Sequence, residues 1–107
     1  MKTGVIKVST FYPNGEGNTF DMEYYIRKHI PMALGLLGDG VELGAIEMGI
    51  SGSKPGTPPA YLVMSHIYFD TIEDFEKAFR PNEAEIMSDM PNYTNCEPII
   101  QVSEVTV

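Results

Sequence analysis

The chain has a single cysteine, Cys96, in 107 residues. It has no partner for an internal disulfide, so the fold does not rest on cross-links and a reducing cytoplasm is the simplest home. Basic side chains are also scarce, 7 against 15 acidic ones, for a formal charge of -8. Such a surface repels nucleic-acid phosphates, and the few cations form no basic stripe, which argues against nucleic acid as a partner. No apolar run approaches the roughly 20 residues that span a bilayer, and no apolar signal core opens the chain. The expectation is a soluble, cytoplasmic protein with no membrane contact. No G-x-G-x-x-G opens a helix after a strand and no G-x-x-x-x-G-K-[ST] is present, which sets aside dinucleotides and nucleoside triphosphates. Two histidines and one cysteine, far apart in sequence, make no zinc spacing.

What is there reads as one domain over residues 1–107, a length that buries roughly two-thirds of its unfolded surface. KTGVIKVSTFY (Lys2 to Tyr12) is rich in β-branched and aromatic residues and is closed by the turn-forming PNGEGN, so it reads as a strand. The period then switches. Met22, Tyr25, Ile26, His29, Ala33 and Leu36 recur at helical spacing, with Asp21 as N-cap, Phe20 stapled onto Tyr25, and a stop near GLLGDG. VELGAIEMGI (Val41 to Ile50) predicts a second strand whose glycines mark a bulge or a close backbone approach. After the loop SGSKPGTPP, YLVMSHIYF (Tyr61 to Phe69) is the strongest strand signal and pairs antiparallel with the second. Asp70 or Thr71 caps a second helix, Asp70 with Glu73 having capping-box spacing, and Ile72, Phe75 and Phe79 form its apolar stripe before Pro81. NEAEIMSDM adds a short helical piece before PNYTN, and IIQVSEVTV is the last strand.

The order βαββαβ is the ferredoxin-like α+β arrangement, a four-stranded antiparallel sheet with helices on one face. Alternation in the third strand sends Tyr61, Val63, Ile67 and Phe69 one way and Leu62, Met64, His66 and Tyr68 the other. In the first strand Ile6 and Val8 oppose Val5 and Phe11. Neither face is built for water, so the helix-free side is expected to meet its own copy across a two-fold axis, giving a homodimer.

FDMEYYIRKHIPM, IYFDTIEDFEKAF and SDMPNYTNCEPIIQVSEV resemble the EthD family, named for ethyl tert-butyl ether degradation. The likeness runs from about Phe11 to Val105, and its most specific parts are the tyrosine pair followed by H-x-P and the DxPNYT segment. It implies a dimeric α+β barrel, in a superfamily of small oxygenases, isomerases and aromatic-polyketide enzymes. Some members are accessory components of oxidative breakdown pathways.

His29 falls one turn after Tyr25, on the stripe that faces the sheet. Pro31 has no N–H for the carbonyl of Arg27 and pushes Ile30 from α geometry, so the helix should bend or loosen beside His29 and open a pocket. An imidazole there suits general acid or base work, with Tyr24, Tyr25 or Tyr93 orienting a carbonyl or phenolic oxygen. The competing reading is a satisfied core histidine, bonded to a backbone carbonyl or to Asp89. Asp89 fits either a carboxylate behind His29 or a cap on the turn that follows. Tyr93 fits a pocket hydroxyl or a ring packed on the core. His66, mid-strand, should face the dimer side and is a weaker candidate for ligand contact. The methionines read as core fill, with Met22, Met32, Met64 and Met90 as an adaptable pocket wall if one is needed. Cys96 has no basic neighbour in sequence and reads as an inert thiol.

Two functions follow. In the first, a small cofactor-independent enzyme binds an apolar aromatic or carbonyl compound between helices and sheet. Its catalytic set is His29, Tyr25 and Asp89, and Tyr24, Tyr93, His66 and Met22 contact substrate. If the protein is an enzyme, the resemblance favours an oxidoreductase of monooxygenase type over an isomerase or lyase. In the second, a non-catalytic accessory protein of an oxidative degradation pathway holds the same ligand. No cofactor is called for, although haem stays open, because a lone helix histidine is all a proximal ligand requires. A pocket-facing His29 with a perturbed pKa and a polar partner favours the enzyme, and a sealed, fully satisfied one the accessory protein.

Overall fold

Residues 3–107 are described by a computed structural model. Lys2, expected to begin the first strand, lies outside the described residues. The elements are β1 (Ile6–Pro13), α1 (Met22–Tyr24), a π-helical turn (Tyr25–His29), α2 (Ile30–Leu37), β2 (Glu42–Met48), β3 (Tyr61–Phe69), α3 (Ile72–Phe79), a 3₁₀ turn (Arg80–Asn82), α4 (Glu83–Ser88), a second 3₁₀ turn (Met90–Asn92) and β4 (Ile99–Glu104). The four strands pair antiparallel in the order β2-β3-β1-β4. This is the expected α+β, ferredoxin-like topology: β3 has the expected bounds, β2 and β4 are shorter by one to three residues at an end, and β1 starts at Ile6, four residues later than expected, and ends one residue later, at Pro13.

Helix starts and stops follow from single side chains. Asp21 caps α1 by accepting the Tyr24 N–H at 3.0 Å, and the Phe20 ring lies 5.0 Å from that of Tyr25, which is the expected staple. Midway, the Ile30 N–H reaches five residues back to the Tyr25 carbonyl. Pro31 has no N–H for the carbonyl of Arg27, and the loosening expected there takes the form of one widened π turn rather than a break. Gly38 stops α2 at a φ of 85°, which a side chain would resist. Of the two caps considered for α3, Thr71 is the one used, its Oγ1 accepting the Asp74 N–H at 3.1 Å.

The sheet holds its register through two irregularities. β2 bulges between Leu43 and Ala45, and a Cβ on Gly44 would collide with the Tyr68 ring, which is the close approach expected of a glycine in this strand. A second shift, between Tyr12 and Pro13, corrects the alternation at the start of β3. Tyr61 packs on Phe11 at 5.1 Å, while Leu62 joins the cluster of Val63, Tyr12 and Tyr25.

The core lies between sheet and helices in two parts. Ile6, Val8 and Phe69 meet Ala33, Leu37, Phe75 and Ile86, and at the other end Tyr12, Tyr25, Val63, Tyr93 and Cys96 form a mainly aromatic cluster. The expected stripe of α3 is narrower than its spacing implied, because Phe75 is buried but Ile72 is 51 % exposed. The helix-free face is also less apolar than expected. Ser9 and His66 are buried there, with Ser9 Oγ 2.8 Å from His66 Nδ1 and His66 Nε2 2.9 Å from Glu47 Oε1.

This packing separates two apolar residues three positions apart. Phe75→Ala should lower stability by roughly 3–5 kcal/mol in urea unfolding, as core phenylalanine truncations do. Ile72→Ala should change it by less than about 0.5 kcal/mol, as exposed positions do. Equal effects would show that α3 seats differently.

Candidate functional site

A cleft lies between the helical layer and the sheet, where the π turn widens the first helix. Its cavity volume is about 80 Å³, counted as space for the centres of water molecules. That is room for several waters or one small compound. Ile30, Ala33, Phe75, Ile86 and Ile100 supply much of an apolar wall, and His29, Tyr25, Tyr93, Tyr12, Thr10 and Ser65 supply the polar atoms.

His29 is 4 % exposed, its ring stacked 5.3 Å from Tyr25 at 13° and 4.6 Å from Tyr93. Its Nδ1 lies 3.0 Å from Asp89 Oδ2. The other carboxylate oxygen, Oδ1, accepts the Tyr24 hydroxyl at 2.8 Å and the Asn92 side-chain amide at 2.9 Å. Asp89 therefore spends its side chain on other side chains, while its backbone carbonyl accepts the Asn92 N–H of the turn that follows. Of the two roles considered for Asp89, the carboxylate behind His29 is the arrangement present.

Electrostatics then assigns the protons. Burial raises the Asp89 carboxyl, but hydrogen bonds from Asn92, Tyr24 and His29 outweigh it and hold the group below its ordinary 3.8. An ionised Asp89 has no proton to give, so Nδ1 carries the hydrogen. Burial lowers His29 below its ordinary 6.5, with Asp89 working in the opposite direction. At neutral pH the imidazole is uncharged and fixed in one tautomer. Nε2 keeps its lone pair and makes no hydrogen bond among the described residues; since none of their fully buried side-chain nitrogens or oxygens lacks a partner, this atom is open to the cleft.

The cleft also carries hydroxyls, from Tyr12, Tyr25, Tyr93 and Ser65. Tyr12 and Tyr93 share a hydrogen bond of 2.9 Å. Burial raises the pKa of Tyr12, Tyr25 and Tyr93, so all three remain protonated donors. Tyr12 and Ser65 were not singled out from the sequence. The signal for them was the two-residue alternation itself, which places Tyr12 with Ile6 and Val8, and Ser65 with Val63 and Ile67.

The other candidates sit elsewhere. Tyr24 and Asp89 stand behind His29 and do not line the cleft. Met22 packs on the outside of the tyrosine cluster, and His66 lies on the helix-free face, bonded at both ring nitrogens. No group of three or more His, Cys, Asp or Glu side chains among the described residues is placed to hold a metal ion. Among them, too, no helix is long and apolar enough to cross a membrane.

The family model of the EthD domain matches residues 15–96. The crystal structure of an EthD-like protein from Ralstonia eutropha JMP134 superposes with a TM-score of 0.91 at 40 % identity, over 99 % of this chain and 96 % of that one. An ethyl tert-butyl ether degradation family protein from Bacillus halodurans C-125 shares the fold at a TM-score of 0.64 and 16 % identity, over 94 % and 97 % of the two chains. Comparison with curated proteins gives no match. A family model that spans most of the sequence, together with a 40 % identical relative of the same fold, places this chain in the EthD family.

Proposed function

We propose that the protein is a small cofactor-independent enzyme that binds an apolar aromatic or carbonyl compound in the helix–sheet cleft, with His29 as its general base. The observation that carries this reading is a buried imidazole oriented by Asp89 at 3.0 Å, with its second nitrogen unpartnered beside a cavity. A purely structural histidine would have both nitrogens satisfied, as His66 does. The accessory, non-catalytic reading gives no reason for a neutral base held in one tautomer.

Loss of a proton to Nε2 leaves the bound compound as an electron-rich anion. That anion is the species from which oxidation by dioxygen proceeds, as the oxidoreductase reading requires. Return of the proton to another carbon gives the isomerase reading. Asp89 and Tyr24 keep the imidazole oriented, and Asp89 stabilises the charge that develops on it.

The reading includes a homodimer through the helix-free face, where half-buried Phe11, Met64 and Tyr68 flank the Ser9–His66–Glu47 row. Light scattering at micromolar concentration should give twice the chain mass, and Met64→Glu should shift it to the monomer. A monomeric wild type removes this part of the proposal.

His29 is one of only two histidines, so its imidazole signals can be followed by NMR. Its midpoint should fall below 6.5, and Asp89→Asn should lower it further, because the group that favours the charged form is gone. Neutral burial also sets the sign of the stability profile. The unfolded chain takes up the His29 proton first as pH falls, so stability drops from about pH 6.5 downward, and His29→Gln removes that part of the slope. A midpoint above 6.5 would contradict the neutral-base assignment. On a turnover assay, His29→Ala should cost roughly 10²–10⁴ in kcat.

A further inference from the structure

The hydroxyl side of the cleft has a donor to spare. Ser65, Tyr25, Tyr12 and Tyr93 all line it, and among the described residues the Tyr12 and Tyr93 hydroxyls share a hydrogen bond at 2.9 Å. That link uses one of the pair's two O–H hydrogens and leaves the other over, whichever way the pair is oriented. None of the four hydroxyls hydrogen-bonds a carboxylate or a backbone carbonyl among the described residues. A donor enclosed by carbon demands an acceptor, because leaving it unmade forfeits its hydration with nothing in return. His29 Nε2, on the same cleft, is an acceptor with the opposite need. The His29 and Tyr93 rings are in contact, with centroids 4.6 Å apart, so one small molecule can touch both residues.

Charge narrows the choice further. No Lys, Arg, Asp or Glu lines the cleft, and Asp89 stands directly behind His29. A carboxylate or phosphate would enter without a counter-ion, toward a carboxylate, on a chain of formal charge -8. A cation would lack a lining anion. The occupant is therefore uncharged.

We propose that the cleft selects an uncharged carbonyl compound with an ionisable C–H beside the carbonyl, its oxygen on the O–H left free by the Tyr12–Tyr93 pair and that C–H toward His29 Nε2. This inference rests on the reading of His29 as a base. His29 Nε2 takes the proton, the C–H electron pair becomes the C=C bond of an enolate, and the carbonyl π pair moves onto oxygen. Donation from the spare O–H holds that oxygen more strongly as an anion than as a ketone, so the hydroxyls act on the transition state rather than on binding alone. The proton on His29 then returns to the same carbon or to another carbon of the conjugated system. No oxidant is consumed.

The test is exchange of α-hydrogen for deuterium in cyclohexanone dissolved in D₂O, followed by NMR, with cyclohexanone, toluene and benzoate compared as binding probes. The wild-type chain should accelerate exchange over buffer and over equimolar free imidazole. His29→Ala should abolish the acceleration. The double variant Tyr12→Phe with Tyr93→Phe, which removes the donor whichever hydroxyl supplies it, should reduce it by roughly 10²-fold while toluene binding is unchanged, which separates lost donation from lost fold. Benzoate should bind least. If neither cyclohexanone nor toluene shifts the signals of cleft residues, the cleft reading falls and this inference with it. If toluene and cyclohexanone bind but exchange is not accelerated, or if benzoate binds better than the ketone, the cleft reading stands and this inference is overturned.

Discussion

The missing N–H of Pro31 is the constraint on which the site depends. An unbroken α-helix from Met22 to Leu37 would need a donor at residue 31, and proline has none. The chain answers with a π turn, which widens the helix over Tyr25–His29 without ending it. Two consequences follow. The Tyr25 and His29 rings come to lie nearly parallel, at 13° and 5.3 Å, and both side chains line the cleft. A π turn in a helix often marks a functional position, and here its chemical content is the orientation of one imidazole.

That orientation is completed from a distant part of the chain. Asp89 follows α4, 60 residues from His29, and is held by Asn92 and Tyr24. Each of these bonds favours the carboxylate over the acid, so they fix the His29 tautomer indirectly by keeping Asp89 ionised. Burial and Asp89 pull the His29 pKa in opposite directions, and burial prevails. A neutral, oriented base at neutral pH is the result of that competition and of neither influence alone.

The fold was legible because its signals were local. Alternation gave the strands, helical spacing gave the helices, and each cap was a single side chain, as at Asp21 and Thr71. The pairing of His29 with Asp89 was legible only as one of two roles for Asp89, since nothing in DMPNY says which way a carboxylate points. Tyr12 has the same parity as Ile6 and Val8, but a tyrosine at a strand end carries no signal that separates a cleft hydroxyl from a core ring. Met22 was grouped with Tyr25 on a uniform helical period. It does pack against the Tyr25 cluster, one turn ahead of the π turn, but it is not among the residues that line the cleft.

The two histidines show why residue type and burial are poor guides to chemistry without a count of valences. Both are less than 9 % exposed, and both lie within 3.0 Å of a carboxylate oxygen. His66 uses both nitrogens, one with Ser9 and one with Glu47, and no cavity among those described opens on it. Its hydrogen bonds are already made, so a ligand would have to break one to form another, for little net gain. His29 uses one nitrogen and is walled by tyrosine rings that stack but do not bond it. The difference arises in the sheet and in the helix respectively. Pleated neighbours at fixed spacing supply Ser9 and Glu47 to His66 from two adjoining strands. A widened helical turn supplies His29 with rings alone, leaving one lone pair for whatever enters the cleft.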